Sequence, residues 1–397
     1  MSNLSTDPYK GVRDFCPADM AVQEYIFDTW RKTAESFGYE QYGASVLEPS
    51  ELYKSKTSEE IVNEQTYTFT DRGDREVTLR PEITPTVARM VAAKRRELSF
   101  PLRWYSIPNL YRYEQPQRGR IREFWQLNVD LFGVDKIQAD VEVIQLAYKV
   151  MRAFGAKDGD FEILINDRKA KLTGLNGITP SPEQYRSLMK IMDKKSKIPK
   201  DKYLALVKGI LGTDADPAFE ESGDVKTVLA SLKDMGISNA RFDDSIVRGF
   251  DYYTGIVFEI YDTNAENRRA LFGGGRYDDL TSLFGGDKVP AVGFGMGDVT
   301  IRDFLETRGL LPKKEAPAEY YICVMSDNET SFAMKTADTL RSKGSKVVID
   351  LSYKKVGDQI KSADKRGIPK VIVIGEEETK TGKITVKDLK TGKEAEM

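Results

Sequence analysis

Histidine is absent from the 397-residue sequence, although an average soluble chain of this length would carry roughly eight or nine. Its absence excludes a Ser-His-Asp triad, a His-ligated zinc ion and an imidazole general base. Any chemistry must therefore use carboxylates, arginines, hydroxyls or a bound metal ion. Only two cysteines are present, Cys16 and Cys323. Their spacing fits neither a zinc nor a redox motif, so we expect plain buried thiols.

The sequence also lacks a strong charge of one sign and long apolar runs. Its formal net charge is -2 and its pI is about 5.7, so any contact with nucleic acid must come from a local basic patch. The first residues contain no apolar signal segment, and no run of 18 apolar residues occurs. These features predict a cytoplasmic protein that does not enter a membrane. The length favours two or three domains.

Patterns along the chain predict one large mixed domain and one small α/β domain. Residues 17 to 37 are predicted to form a helix, with Pro17 in its first turn. Residues 180 to 235 are Lys-rich and helical in pattern, which indicates an inserted helical subdomain. After a Pro/Lys/Ala linker at 309 to 318, strands alternate with helices. This alternation predicts a separate domain with a small, mostly parallel sheet.

The stretches "PLRWYSIPNLYRYEQPQ" and "REFWQLNVDLFG" are predicted to be the two strands of an antiparallel hairpin with a long connection. The part "YRYEQPQRGRIREFWQLNVD" is rich in arginine. Its arginines are Arg112, Arg118, Arg120 and Arg122. A guanidinium group matches phosphate oxygens with two parallel hydrogen bonds. The nearby aromatic residues Tyr111, Phe124 and Trp125 suit stacking on a purine. The hairpin therefore suggests a nucleotide site, with a solvated charged loop as the alternative.

Three shorter stretches are further candidates, each with a purely structural alternative. In "VRGFDYYTG", Arg248 precedes Tyr252 and Tyr253, which would point to opposite faces of a strand, one to the core and one to a pocket. The three glycines of "LFGGGRYDDL" do not form a Walker loop and indicate close packing against a ligand or a strand. In "TLRPEITP", Glu82 and Thr84 follow a strand and could hold an amine.

Together these stretches resemble the histidyl-tRNA synthetase family of class II aminoacyl-tRNA synthetases, over nearly the whole chain. "GVRDFCPADM" resembles the family's N-terminal segment, and the helix at 17 to 37 with Pro49 resembles motif 1, an element of the dimer interface. "YRYEQPQRGRIREFWQ" resembles motif 2, "RGFDYYTG" the histidine-specific signature, and "GGGRYD" its companion.

The resemblance implies an α+β fold. Its parts would be an antiparallel β-sheet core flanked by helices, a helical insertion, and a C-terminal α/β anticodon-binding domain. The implied boundaries are 1 to 315 for the catalytic domain, about 175 to 238 for the insertion, and 319 to 397 for the anticodon-binding domain.

The implied reaction is ATP-dependent ligation of histidine to tRNA-His through a histidyl-adenylate. The implied partners are L-histidine, tRNA-His and a second copy of the chain in a homodimer, and the implied cofactors are ATP and Mg²⁺. No residue is assigned as a metal ligand. In this reaction two anions, a carboxylate and the α-phosphate, must meet. Fixed positive charge is therefore needed rather than a proton-transfer base.

The resemblance also assigns roles to particular residues. The catalytic arginines would be Arg112, Arg248 and Arg120. ATP would be bound by Arg112, Glu114, Arg120 and Phe124. Histidine would be bound by Glu82, Thr84, Gln126, Asp130, Tyr253 and Tyr277. The tRNA acceptor end would meet Gln115, Gln117 and Arg118. Asp130 opposite Tyr253 would read both imidazole nitrogens, and other amino acids would leave these groups unpaired.

The sequence departs from the family pattern at two places. Val299 and Thr300 stand where many bacterial members carry Glu-Arg, so the motif 3 arginine is missing, and Arg302 lies two residues away. Gln115 stands where an arginine is common, which leaves open how the extra 5′ guanosine of tRNA-His is read.

Two alternatives share the implied fold. The regulatory subunit of ATP phosphoribosyltransferase binds histidine without charging tRNA, and the intact "VRGFDYYTG" and motif 2 arginines disfavour it. Another class II synthetase, such as a prolyl or threonyl enzyme, is disfavoured by "DYY" together with "GGGRYD". Class I synthetases are excluded because their His-x-Gly-His signature cannot occur in a chain without histidine.

Overall fold

A computed structural model of the chain describes residues 4–54, 65–195, 198–248, 252–264, 266–267, 270–313 and 315–397. Contacts divide the chain into two units, Met1–Pro312 and Lys313–Met397. The division falls inside the linker predicted at 309 to 318.

The first unit contains both strands and helices. Its strands are β1 (Glu40–Gln41), β2 (Leu47–Pro49), β3 (Tyr67–Thr70), β4 (Glu76–Leu79), β5 (Leu102–Ser106), β6 (Asn109–Tyr111), β7 (Glu123–Phe132), β8 (Phe161–Asp167), β9 (Leu172–Thr173), β10 (Ala218–Phe219), β11 (Ala240–Phe242), β12 (Ile256–Asp262), β13 (Ala270–Arg276) and β14 (Ala291–Gly297). Its helices are α1 (Pro17–Ser36), α2 (Glu51–Lys54), α3 (Thr84–Lys94), α4 (Ile137–Ala153), α5 (Pro182–Met192), α6 (Lys200–Leu211), α7 (Gly223–Asp234), α8 (Asp298–Thr307) and a 3₁₀ helix at Leu280–Phe284.

The main sheet of this unit has the strand order β1-β5-β7-β14-β13-β12-β8-β11, and β6 also pairs with β7. Only the edge pairs β1/β5 and β11/β8 are parallel; the pairs between them are antiparallel. Helices α1, α4, α7 and α8 contribute side chains to its largest hydrophobic core. The predicted α+β class, with an antiparallel sheet flanked by helices, is confirmed.

Helix α1 illustrates how local sequence sets an element of this core. It begins at Pro17, whose missing N–H is not needed in a first turn. Ile26 and Trp30, four residues apart, are both fully buried, as expected for one helical face. Cys16, immediately before the helix, is exposed, so the expectation that both cysteines are buried was wrong for this one. Its place ahead of the first turn puts it at the surface.

The Arg-rich hairpin differs in detail from the prediction. Its first arm is two strands, β5 and β6, separated at 107–108, and both pair with β7. Proline cannot donate to a sheet ladder, but the Pro108 carbonyl accepts a hydrogen bond from the Gln126 N–H at 3.1 Å. Because β6 ends at Tyr111, Arg112 lies just after this strand rather than within it. Its N–H donates a hydrogen bond to the Arg122 carbonyl.

The three consecutive glycines lie in β13, between β12 and β14. A Cβ atom on Gly274 would lie 2.0 Å from the Gly293 carbonyl oxygen and 2.6 Å from the Phe294 Cα. Glycine is thus required because neighbouring backbone comes too close for a side chain. Of the two predicted reasons for this run, close strand packing applies at Gly274.

The region predicted as an insertion, about 175 to 238, contributes to two different cores. Leu188, Tyr203 and Phe219 belong to a separate hydrophobic cluster built around α5 and α6. Val228 of α7 instead packs into the core of the main sheet.

The second unit has its own sheet and its own hydrophobic clusters. Its strands are β15 (Tyr320–Val324), β16 (Val347–Asp350), β17 (Lys370–Ile374), β18 (Thr385–Asp388) and β19 (Glu394–Glu396). Its helices are α9 (Thr330–Ser342), α10 (Val356–Lys365), α11 (Glu376–Thr381) and a 3₁₀ turn at Asp327–Glu329. The order is β16-β15-β17-β18-β19, with the first three strands parallel. Cys323 is buried in β15, as predicted.

Across the parts of the chain that the structure describes, no helix combines the length and apolar character needed to cross a membrane.

Candidate active site

A polar cavity opens in the first unit. Its lining residues are Glu82, Thr84, Arg112, Gln126, Asn128, Asp130, Arg248, Tyr252, Tyr253, Gly273, Tyr277, Gly293, Phe294 and Gly295. Every residue predicted to bind histidine is among them, together with Arg112 and Arg248.

Strand β7 supplies one side of the cavity. Gln126 and Asp130 are four residues apart and therefore share a face of the strand. Across the ladder, Asp130 pairs with Gly293 of β14. A Cβ atom on Gly293 would lie 2.5 Å from the Asp130 Oδ1. The glycine thus leaves the space that the carboxyl group occupies.

Asp130 is buried, with 3% of its surface exposed. The Tyr277 hydroxyl donates a hydrogen bond to its Oδ1, whereas its buried Oδ2 has no hydrogen-bond partner among the described residues. Burial raises the pKa of the Asp130 carboxyl to about 7, although the hydrogen bond from Tyr277 opposes the shift. Oδ2 can therefore serve as an acceptor for a ligand N–H.

A second acidic group, Glu82, lies in the turn between β4 and α3 and is 3% exposed. The Tyr252 hydroxyl donates to its Oε2 at 3.2 Å. Burial raises the pKa of the Tyr252 phenol well above its ordinary value, and the charge of Glu82 adds to the shift. The phenol therefore stays protonated and can keep donating this hydrogen bond.

The prediction that only one of the two tyrosines of "DYY" would face a pocket was wrong. Strand alternation would have sent one of the two tyrosines to the core, but they precede β12 rather than lie within it. Both Tyr252 and Tyr253 line the cavity, with ring centroids 4.9 Å apart. Residues 249–251 of the same signature lie outside the described residues.

Arg112 is held by the backbone and by an aromatic ring. Its Nε donates to the Pro81 carbonyl at 2.9 Å, and its guanidinium lies 5.3 Å from the centroid of the Phe124 ring. Burial lowers the pKa of the guanidinium, and the nearby charges of Glu82 and Glu114 oppose this. Arginine remains charged despite such shifts, so the cavity contains a fixed cation.

Arg248 supplies a second fixed cation. Its Nη1 lies 2.7 Å from the Glu259 Oε1, and its Nη2 donates to the Gly273 carbonyl at 3.3 Å. Burial alone would lower the pKa of this guanidinium, but Tyr253 and Glu259 raise it above its ordinary value. Its buried Nε has no hydrogen-bond partner among the described residues.

The other residues predicted to bind ATP lie beside the cavity rather than in its lining. Phe124 underlies Arg112, as described above. The Arg120 Nη1 lies 3.5 Å from the Glu114 Oε2, so these two residues of the Arg-rich connection face each other.

The residues predicted to meet tRNA lie farther along the same connection. A second cavity is lined by Gln117, Arg118, Gly119, Glu266, Asn267, Thr300 and Asp303. The Arg118 Nε lies 3.0 Å from the Asp303 Oδ1. Gln115 is exposed and lines neither cavity.

Thr300, which replaces the motif 3 arginine, and the nearby Arg302 both have structural partners. The Thr300 hydroxyl donates to the Leu271 carbonyl at 2.7 Å. Arg302 pairs with Asp19 at 2.8 Å and with Glu306 at 2.9 Å. Arg302 therefore contacts α1 and its own helix, and it does not line the polar cavity.

Comparisons with solved structures define the class of the fold. A histidyl-tRNA synthetase from Nostoc sp. PCC 7120 aligns with a TM-score of 0.78 at 24% identity, over 100% of this chain and 97% of that one. The apo histidyl-tRNA synthetase of S. aureus aligns with a TM-score of 0.74 at 26% identity, over 100% and 97%. The fold is that of a class II aminoacyl-tRNA synthetase.

Sequence comparisons give the family within that class. The model of "Histidyl-tRNA synthetase" matches residues 11–198 and 168–299, and that of "Anticodon binding domain" matches 319–397. The "Histidine--tRNA ligase" of Leptospira biflexa is 42% identical over 97% of this chain and 94% of its own length. The chain belongs to the histidyl-tRNA synthetase family.

Proposed function

We propose that this chain is a histidine–tRNA ligase, which activates L-histidine with ATP and transfers the histidyl group to tRNA-His. The observation that carries the proposal is the charge arrangement of one cavity. Two arginines, Arg112 and Arg248, and two buried acidic side chains, Glu82 and Asp130, line it together. The ammonium group of an amino acid needs a negative charge in its site, and a phosphate needs a positive one. The acidic residues and the arginines of this cavity provide both.

The imidazole ring would bind between Asp130 and Tyr253. The Asp130 Oδ2, which is buried and has no hydrogen-bond partner among the described residues, would accept a hydrogen bond from one ring nitrogen. The Tyr253 hydroxyl would meet the other. An amino acid that cannot donate a hydrogen bond at this place would leave the Asp130 Oδ2 unpaired, which typically costs about 1–3 kcal/mol.

The α-amino group of histidine would bind at the opposite acidic group. Glu82 supplies the charge, and Thr84 and Gln126 supply further oxygen acceptors in the same lining. Tyr252 fixes one oxygen of Glu82, so the carboxylate has a defined orientation before the ligand arrives.

Adenylate formation joins a histidine carboxylate oxygen to the α-phosphorus of ATP, and the bond from that phosphorus to the pyrophosphate oxygen breaks. Arg112 and Arg248 would stabilise the α-phosphate from two sides, and Arg120 would face the outer phosphates. Preorganised cations of this kind typically contribute about 10²–10³-fold each in rate. No proton needs to move, which agrees with a chain that has no histidine.

ATP would lie along the Arg-rich connection, with its adenine against Phe124 and Glu114 at the amino edge. Mg²⁺ would arrive with the phosphates and supply charge neutralisation there. Among the described residues, no group of three or more acidic or cysteine side chains could hold a metal ion by itself. Mg²⁺ commonly uses substrate phosphates, waters and only one or two carboxylates, so such a group is not required.

The acceptor end of tRNA would meet Gln115, Gln117 and Arg118. Arg118 already pairs with Asp303, so a phosphate would replace a carboxylate as its partner. Residues 319–397, which match the anticodon-binding model, would bind the other end of the tRNA. We also propose a homodimer, built on motif 1, and a cytoplasmic location.

The test is histidine-dependent exchange between ATP and labelled pyrophosphate. We expect exchange with histidine and none with proline or threonine. Replacing both Arg112 and Arg248 by Ala should abolish it, whereas Arg95→Ala, at an exposed ion pair with Asp287, should leave it unchanged. A chain that binds histidine without exchange would be the regulatory-subunit alternative. Exchange with another amino acid would indicate a different class II specificity.

A further inference from the structure

Two of the groups that hold the guanidinium of Arg248 have no other role in the proposed reaction. Glu259 meets Nη1 at 2.7 Å and the Gly273 carbonyl accepts from Nη2 at 3.3 Å. The backbone φ of Arg248 is +61°, a left-handed conformation that is strained for a residue with a side chain. Strained residues of this kind persist where surrounding contacts fix them, often at functional sites.

Glu259 is itself fixed and removed from water. It lies in the middle of β12, and only 8% of its surface is exposed. Its Oε1 binds Arg248, and its Oε2 accepts a hydrogen bond from the Tyr261 hydroxyl at 2.7 Å. Tyr261 lies two residues along the strand and therefore on the same face. Both carboxylate oxygens are thus occupied.

The arrangement leaves one edge of the guanidinium for a ligand. Arg248 lines the cavity, and its buried Nε has no hydrogen-bond partner among the described residues. Because Glu259 and Gly273 occupy the two terminal nitrogens, the orientation of this Nε–H is determined by the protein. A long arginine side chain without such contacts would have to be ordered by the substrate.

We propose that Glu259 is a positioning residue that orients Arg248 for the α-phosphate, with Tyr261 holding the carboxylate in place. This role rests on the proposed ligase function. Glu259 would touch neither histidine nor ATP. It would act by fixing Arg248 before the transition state forms, which is where preorganised charge has its effect.

The same strand offers a matched control. Asp262 ends β12, and it is 6% exposed and pairs with Arg308 at 2.5 Å. It is thus a second buried carboxylate–arginine pair, about 10 Å farther along the strand, and it does not line the cavity. Removing its charge should cost stability without changing the chemistry.

The experiment compares Glu259→Gln with Asp262→Asn in the full-length chain. Pyrophosphate exchange gives kcat and KM for histidine, and thermal unfolding gives Tm. We expect both variants to lower Tm, but only Glu259→Gln to lower kcat, by about 10- to 100-fold, because a small misplacement of a catalytic group has effects of this size. The KM for histidine should stay within about twofold, since Arg248 is assigned to the phosphate.

Two further variants test how Glu259 acts. Tyr261→Phe loosens the carboxylate without touching Arg248, so it should lower kcat in the same direction but less, and it serves if Glu259→Gln folds poorly. Added to Arg248→Ala, Glu259→Gln should lower kcat no further, because the two residues act as one unit.

The outcomes separate this role from the proposed function. If the unmodified chain shows no histidine-dependent exchange, the ligase proposal fails and this role fails with it. If the unmodified chain is active but Glu259→Gln and Asp262→Asn have equal kcat values, only the positioning role is overturned. An equal loss of kcat from Glu259→Gln with and without Arg248 would overturn it in the same way.

Discussion

At the scale of single residues, Asp130 combines two roles that oppose each other. In its proposed role, burial would make its contact with a ligand selective, yet the same burial disfavours its charge and raises the pKa of its carboxyl to about 7. Tyr277 offsets part of this cost through its hydrogen bond. In the proposed role the residue would favour binding, while its burial lowers the stability of the folded protein at neutral pH.

Replacing Asp130 by Asn should reveal this cost through pH. In the unfolded chain the carboxyl has a pKa near its ordinary value of 3.8, whereas in the folded chain it is about 7. The raised pKa of the Asp130 carboxyl therefore contributes fully to the free energy of unfolding below about pH 4. This contribution is lost as pH rises towards 7. The free energy of unfolding of Asp130→Asn, relative to the unmodified chain, should rise by about 1.4 kcal/mol per pH unit over that range.

Denaturant titrations at pH 5, 6, 7 and 8 would measure this difference. Above pH 7 it should level off, because the carboxyl is then charged in both states. A difference between the two proteins that does not change with pH would contradict the raised pKa.

The residues that the local motifs single out do lie together in one cavity, whereas their binding of histidine stays a prediction. Glu82, Thr84 and Gln126 line the cavity with the other residues predicted to bind histidine. Tyr252 was not assigned to the site, because the alternation argument assumed a strand before β12. The two consecutive tyrosines indicated a pocket. Both rings line the cavity because these residues do not lie in a strand.

At the scale of elements, Asp298 joins three parts of the first unit. It is fully buried at the start of α8. It accepts hydrogen bonds from Arg13 at 2.6 Å and Gln23 at 3.0 Å, and its Oδ1 accepts the Trp125 backbone N–H at 3.0 Å. The N-terminal segment, α1 and β7 therefore meet at one carboxylate. Trp125 lies between Phe124 and Gln126, the proposed adenine and amine contacts.

Asp298→Ala should destabilise the first unit by about 2 kcal/mol or more, because it leaves buried donors without their acceptor. Arg13 is partly exposed and can recover some hydration, which limits the loss. Chemical denaturation would measure it. Glu306→Ala, on the same helix in an exposed ion pair with Arg302, should change stability by about 0.5 kcal/mol or less. Equal losses in the two variants would contradict the joining role.

Elements with strong local signals were predictable and their partners were not. Helix α1 follows from Pro17 and its apolar spacing. The break between β5 and β6, and the packing of α7 into the main core rather than into the cluster of α5 and α6, depend on strands and helices distant in sequence. A local pattern contains no information about which distant element covers a given face.

At the scale of the whole molecule, the two units have separate hydrophobic clusters, and the polar cavity belongs entirely to the first. A chain ending at Pro312 should therefore keep pyrophosphate exchange within a few-fold of the full chain. It should lose tRNA charging by about 10²- to 10⁴-fold, the usual effect of removing one of two linked binding sites. Full charging by a folded 1–312 chain would contradict a tRNA-binding role for residues 313–397.

The absence of histidine predicts a second whole-molecule behaviour. A synthetase without its own amino acid can still be translated when that amino acid is scarce. In histidine-starved cells, pulse labelling should show continued synthesis of this chain while proteins that contain histidine stall. A version with Lys361→His and Lys383→His, both at exposed positions, is the control. Equal arrest of the two versions would reject the hypothesis.

The sequence by itself determined the composition, the absence of imidazole chemistry, the local elements and the motifs, because each of these depends on neighbouring residues or on simple counts. The tertiary structure decided which of these residues meet. It brings Asp130 of β7 to Tyr277 after β13, and Glu259 of β12 to Arg248. It also puts Gly293 opposite the carboxyl that needs its space. The reason is physical: pairing across a sheet joins residues far apart in sequence, and the burial that shifts a pKa arises only when the strands come together.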